Sequence, residues 1–338
     1  MLREGSAFAA AGLPRQLIRG SGPGIRREHG ALRPGEAGPV KADYRVVDAA
    51  MTAAGAFRVV CLACVRHLEA NREGMLAGTD PEYLHQMRVA LRRLRTAFAV
   101  FAEAVPEAAP LLAELRWLRR ALGEARDWDV FTAQVLRPAL ARHPHRRGLR
   151  AVKEACDEMR ADAAHSARHA VESGRYRKLV RELRALCYGA PQVAPLPRAA
   201  QPLRRHAAAA IAALHESSRR RGRKLMRLEA EKLHRLRKTV RKLRYAVLFL
   251  ASAFPEARMG ALAGAVESLQ ETLGGLNDCA VAEALIERAR APGRRKACRI
   301  LAKRVGEARA ARRKQLKKEW KAFRAVEGFG IPARARSA

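Results

Sequence analysis

The chain has 338 residues, with 67 Lys and Arg against 33 Asp and Glu, a formal charge of +34. A compact fold carrying that much like charge repels itself, so the imbalance implies a partner that supplies negative charge: nucleic acid, an anionic membrane surface or a phosphate polymer. Hydrophobic residues at 49% exclude a globally disordered chain, and no run approaches the ~20 apolar residues of a helical membrane span.

Residues 1–44 are rich in Gly, Pro, Ala and Arg and hold no sustained period, so a disordered basic tail is expected there. Met1–Gly12 lacks the charged start and sustained apolar run of a secretory signal. From Tyr44 onward helical periodicity takes over. Ala, Leu and Arg dominate, all good helix formers, and β-branched runs of period two are missing, so the fold class is all-α.

Residues 45–188 read as a first helical half. Cys61 and Cys64 form a lone CxxC within an apolar helical stretch, better read as small core residues one turn apart than as a redox pair. Neither they nor Cys156, Cys187, Cys279 and Cys298 show zinc-site spacing, so reduced thiols and a cytoplasmic location are expected.

The segment from His85 to Arg95 is sharply amphipathic. With His85 at zero on a helix, Arg88, Arg92 and Arg95 fall at roughly −60°, −20° and −80°, a single stripe. Leu84, Met87, Leu91, Leu94, Phe98 and Phe101 fall between roughly 160° and 260°, on the opposite side. Past a turn at Pro106 comes a third basic segment with Arg116, Arg119, Arg120 and Arg126. Asp127 and Asp129 after Gly123, and Asn277-Asp278 after Gly274, each follow a glycine at an expected helix break. They read first as helix N-caps and second as carboxylates that hold the stripe's arginines in place.

Gly189–Pro202 contains four prolines and reads as a linker. Beyond it, residues 203–325 resemble the first half. His234, Arg237, Arg241 and Arg244 reproduce the stripe about 150 residues on, with Lys238 and Lys242 beside it. Leu233, Leu236, Val240, Leu243, Val247 and Leu250 form the apolar back. Leu273-Gly274 and Asn277-Asp278 echo Leu122-Gly123 and Arg126-Asp127, so an internal duplication is the natural reading. Gln270 and Glu271 make the later copy of the third segment much less basic, and residues 326–338 read as a loose tail.

Within each stripe, cations sit three or four residues apart with no acid between them. Such spacing destabilises an isolated helix by a few tenths of a kcal/mol per pair. A polyanion lying along the stripe would reverse that sign. Arginine's planar fork suits phosphate oxygens, and phosphate nearby would favour the charged forms of His85 and His234. Catalysis is not expected, since the repeated motif is all cation and no orienting acid stands at helical spacing from His85. No cofactor or metal is implied either. Non-specific nucleic-acid binding is the alternative, although the stripes offer no aromatic platform, Tyr245 being the nearest ring.

The motifs His85…Arg88-Val89…Arg92-Arg93-Leu94-Arg95, Leu122-Gly123…Arg126-Asp127…Asp129-Val130, His234…Arg237-Lys238…Arg241-Lys242-Leu243-Arg244-Tyr245 and Leu273-Gly274…Leu276-Asn277-Asp278 resemble those of the conserved histidine α-helical domain, CHAD. The resemblance spans about residues 45–325. It implies two bundles of about four helices each, related by a pseudo-twofold, with basic residues lining a central cleft or pore. It also implies inorganic polyphosphate as partner and association with polyphosphate granules. By position it implies ligands at His85, Arg88, Arg92, Arg95, His234, Arg237, Arg241 and Arg244. Arg93, Arg116, Arg119, Arg120, Arg126, Lys238 and Lys242 complete the expected site.

Overall fold

From Ala53 onward helix follows helix in the computed structural model, which describes residues 38–43, 47–78, 80–188 and 201–327. The expected tail over 1–37, most of the Pro-rich linker (189–200) and the end of the chain (328–338) lie outside those residues. Among the described residues there is no strand, and no helix is long and apolar enough to cross a membrane.

The first half runs α1 (Ala53–Ala70), α2 (Arg72–Ala77), α3 (Pro81–Val100), α4 (Leu111–Ala121), α5 (Gly123–Phe131), α6 (Arg137–Arg142), α7 (Arg147–Glu172) and α8 (Gly174–Tyr188). The second runs α9 (Leu203–Arg221), α10 (Ala230–Leu250), α11 (Glu256–Arg288) and α12 (Arg295–Ala325). The first half is therefore more divided than the expected four helices. A π-helical turn over Thr132–Leu136 joins α5 to α6.

Local chemistry sets the two stripe helices. Asp80 caps α3, its side chain accepting from Glu82 N at 2.7 Å, and Pro81 supplies a first helical residue with φ already in place. The apolar backs behave as their periodicity demands. Leu84, Met87, Leu91, Leu94, Phe98 and Phe101 are buried, as are Leu236, Val240, Leu243, Val247 and Leu250; Leu233 is half-buried. At about 1.5–3 kcal/mol per buried side chain, these contacts fix the rotation of each helix and so which face its cations present.

The halves interlock pairwise: α3 packs on α10, α5 on α11, α7 on α12 and α1 on α9. His206 of α9 reinforces this, its Nε2 donating to Val100 O at 3.0 Å while the ring stacks on Phe101 with centroids 5.1 Å apart. All six cysteines are free and buried, Cys61 and Cys64 inside α1.

One boundary differs from expectation. Residues 38–43, assigned to the disordered tail, lie against the first half. Val40 exchanges two hydrogen bonds with Asn71 (N to Oδ1 at 3.0 Å, O from Nδ2 at 2.9 Å) and accepts from His67 Nε2 at 3.1 Å. Arg93 Nη2 donates to Asp43 O at 2.7 Å. Asn71 and Arg93 are both buried, so their polar groups need these backbone partners.

Candidate anion-binding site

Because α3 lies on α10 and α5 on α11, the two stripes face one centre. Arg92 of α3 bears on both Arg237 and Arg241 of α10, and Asp127 of α5 feels Arg88, Arg237 and Asp278. His85, Arg88, Arg92, Arg126, Arg237 and Arg241 are thus brought together, with His234 and Lys238 at the edge.

The acids hold arginines instead of capping helices. Arg88 Nη1 donates to Leu122 O at 2.9 Å, and its Nη2 stands 3.7 Å from Asp127 Oδ1. Arg237 Nη1 donates to Asn277 Oδ1 at 2.8 Å. Asp127 and Asn277 both sit inside helices, α5 and α11, so the capping reading is corrected. In the second half the expected break at Gly274 does not occur. Packing of the 33-residue α11 against α10 and α12 outweighs the roughly 1 kcal/mol that a glycine costs a helix. In the first half the chain does break between Leu122 and Gly123. A Cβ at Gly123 would stand 3.3 Å from Arg88 Nη1, so the missing side chain lets that guanidinium lie against the backbone. Asp129 serves elsewhere, accepting from Arg160 Nε of α7 at 2.6 Å.

These contacts leave positive charge in excess. Burial, and then repulsion from Arg237 and Arg92, pushes Arg241 down to about 9. Burial lowers Arg88 to about 10 against the pull of Asp127, and Arg126 and Arg237 are lowered for the same first reason. The Nε atoms of Arg92 and Arg237 are buried without a hydrogen-bond partner among the described residues. His85 is pushed down to about 4 by burial and by Arg126; His234 is lowered by burial and by Lys238. Without an anion both imidazoles are neutral at pH 7, whereas the expectation of charged histidines presupposed phosphate beside them. What the arrangement can do chemically is accept a multiply charged anion: it has forked donors, buried charge and too few carboxylates of its own.

Not every expected residue joins this centre. Arg93 is 1% exposed and points the other way, into the first-half core toward Asp43, because it lies about 100° round α3 from Arg92. It is structural, which corrects its place in the expected site. Lys242, one position past Arg241, lines a separate groove with Glu103, Arg205 and His206. Arg120 is exposed one position past Arg119. Arg95 sits beside Arg116 and Arg119, whereas Arg244 is held by Glu267 at 2.6 Å and Gln270 at 3.2 Å.

Two features were missed in the sequence. Glu82 bears on both His85 and Arg126; it lies one turn before His85, so helical spacing alone could have found it. A pocket of about 390 Å³ between α5, α11 and α12 adjoins the centre through Asp127 and Asp278 and includes Arg304 and Arg312. No signal in the sequence ties α12 to that place.

Fold and site together define a class: an all-helical protein in which arginines of two packed helices, α3 and α10, lie close together with too few carboxylates to neutralise them. The chain belongs to the CHAD family, whose domain profile matches residues 60–287. It is similar to the crystal structure of the CHAD domain from the plant Ricinus communis, at 28% identity and a TM-score of 0.75, covering 87% of this chain and 99% of that one. PptA from Streptomyces chartreusis shares the fold, at 18% identity and a TM-score of 0.62, covering 80% of this chain and 98% of that one. No curated protein sequence matches the chain.

Proposed function

We propose that the chain binds inorganic polyphosphate along the joined stripes of α3 and α10, performs no chemistry on it, and thereby associates with polyphosphate granules. The observation that carries this reading is the meeting of Arg88, Arg92, Arg237 and Arg241 at one centre, where burial and repulsion from neighbouring arginines already strain the charges of Arg88, Arg237 and Arg241. A flexible chain with about one negative charge per phosphate relieves that strain at several points at once. Exposed contacts contribute about 1 kcal/mol each, and counterion release makes the sum steeply dependent on salt.

The test is a titration with long-chain polyphosphate across salt concentrations, using the parent and a variant with Arg88, Arg92, Arg237 and Arg241 all changed to Ala. Four lost contacts at about 1 kcal/mol each predict an affinity roughly 10³-fold lower and a flatter salt dependence. The helical circular dichroism should stay intact. A quadruple variant that binds as tightly as the parent refutes the reading. In competition, polyphosphate should displace DNA at concentrations where DNA fails to displace polyphosphate; the reverse order would favour nucleic acid as the partner.

A further inference from the structure

The two ends of the joined stripes are chemically unlike. In the alignment that sets Leu122-Gly123 on Leu273-Gly274, Arg116 falls on Glu267 and Arg119 on Gln270. Both pairs stand beside the last arginine of a stripe: Arg95 on α3, which packs on α4, and Arg244 on α10, which packs on α11. In the second half the protein fills that arginine's fork itself. Glu267 Oε1 accepts from Arg244 Nη2 at 2.6 Å, and Gln270 Oε1 accepts from Nη1 at 3.2 Å.

In the first half the same three positions are all cations. Arg116 and Arg119 are exposed, lie one turn apart on α4, and have no ion-pair partner among the described residues; neither does Arg95. Arg95 is lowered by burial and then by Arg119 and Arg116, and Arg119 also bears on Arg88, so the trio is continuous with the centre. Three neighbouring forked donors, with no ion-pair acceptor among the described residues, suit a tetrahedral oxyanion. A carboxylate already in the fork, as at Arg244, presents a phosphate with a like charge to displace.

Resting on the polyphosphate reading above, we infer that Arg95, Arg116 and Arg119 form the anchoring phosphate subsite, and that Glu267 is a built-in phosphate substitute that keeps the ligand off Arg244. The bound polymer is then held at the first-half end and only passes the second. Glu267 becomes the residue that sets this polarity.

The experiment compares the full-length parent with R116Q/R119Q, R244Q and E267Q by calorimetric titration with long-chain polyphosphate at fixed salt, with circular dichroism on each protein. R116Q/R119Q should bind about 10-fold more weakly and R244Q within about 2-fold of the parent. E267Q, which frees a guanidinium while leaving Gln270 in contact with it, should bind roughly 5-fold more tightly. R244Q weakening as much as R116Q/R119Q, in a parent that binds, overturns the subsite alone, as does E267Q with unchanged affinity. A parent that takes up no polyphosphate overturns the functional reading and the subsite together.

Discussion

Changing Arg241 to Met should stabilise the free protein while weakening its hold on polyphosphate. Arg241 is pushed down from the ordinary arginine range to about 9, chiefly by burial and then by Arg237 and Arg92. That strain opposes folding by a few kcal/mol at most while the group is charged. The side chain is only half-buried, so water screens part of this, and about 2 kcal/mol is the working figure. Methionine keeps the apolar stem packed and removes the charge. For a chain of this size that gain raises Tm by roughly 3 °C. The penalty exists wherever the folded arginine is charged. It is complete below about 9 and fades as pH rises above that, so the gap between variant and parent should narrow at alkaline pH. Thermal melts followed by circular dichroism at pH 7 and pH 10, with and without long-chain polyphosphate, read all of this. Polyphosphate should raise the parent's Tm more than the variant's. A variant that melts at or below the parent in the absence of polyphosphate would show that Arg241 is a strut or a solvated group, and the argument from strained charge would fail.

Arg93→Ala should behave in the opposite way. It removes a buried side chain and its bond to Asp43 O, costing about 3 kcal/mol in denaturant unfolding, with polyphosphate affinity within about 2-fold of the parent. A loss of affinity as large as that of Arg92→Ala would return Arg93 to the site. His67 is held at about 4 by burial and then by Arg93, against an ordinary 6.5. The unfolded chain therefore binds the extra proton first, so stability should fall by about 3 kcal/mol as pH drops from 6.5 to about 4. His67→Gln should flatten that part of the stability curve, and an unchanged curve would exclude His67 as its source. For His85, also near 4 when free, an anion alongside raises the pKa, so polyphosphate binding near pH 5.5 should take up protons. Calorimetry in two buffers of different ionisation enthalpy detects the uptake, and identical heats would contradict it.

Much of this protein is legible from local chemistry. The 3.6-residue period of Leu84, Met87, Leu91, Leu94 and Phe98 specifies both that α3 is a helix and which way it turns, because burial of that face is worth far more than the orientation of a charge. The second copy, from Leu236 to Leu250, carries the same information independently. The stripes, and Glu82 beside them, follow as the opposite face. Asp80-Pro81 marks where α3 starts.

Other features depend on which helix lies across from which. Arg92 and Arg93 are adjacent and chemically identical in the sequence, yet one meets Arg237 and Arg241 while the other is sealed against Asp43; the 100° step per residue separates them only once neighbours occupy both sides. Asp127 and Asn277 look like caps until packing carries α11 straight through Gly274 and sets their side chains on Arg88 and Arg237. The difference between Arg95 and Arg244 likewise waits on α4 and α11, which bring two arginines to one and a carboxylate to the other. Helix and face are decided by interactions within a few turns of chain, and the amino-acid sequence determines them alone. Whether a charge is a strut, a ligand or already neutralised depends on groups up to about 150 residues away, and only the tertiary structure places those.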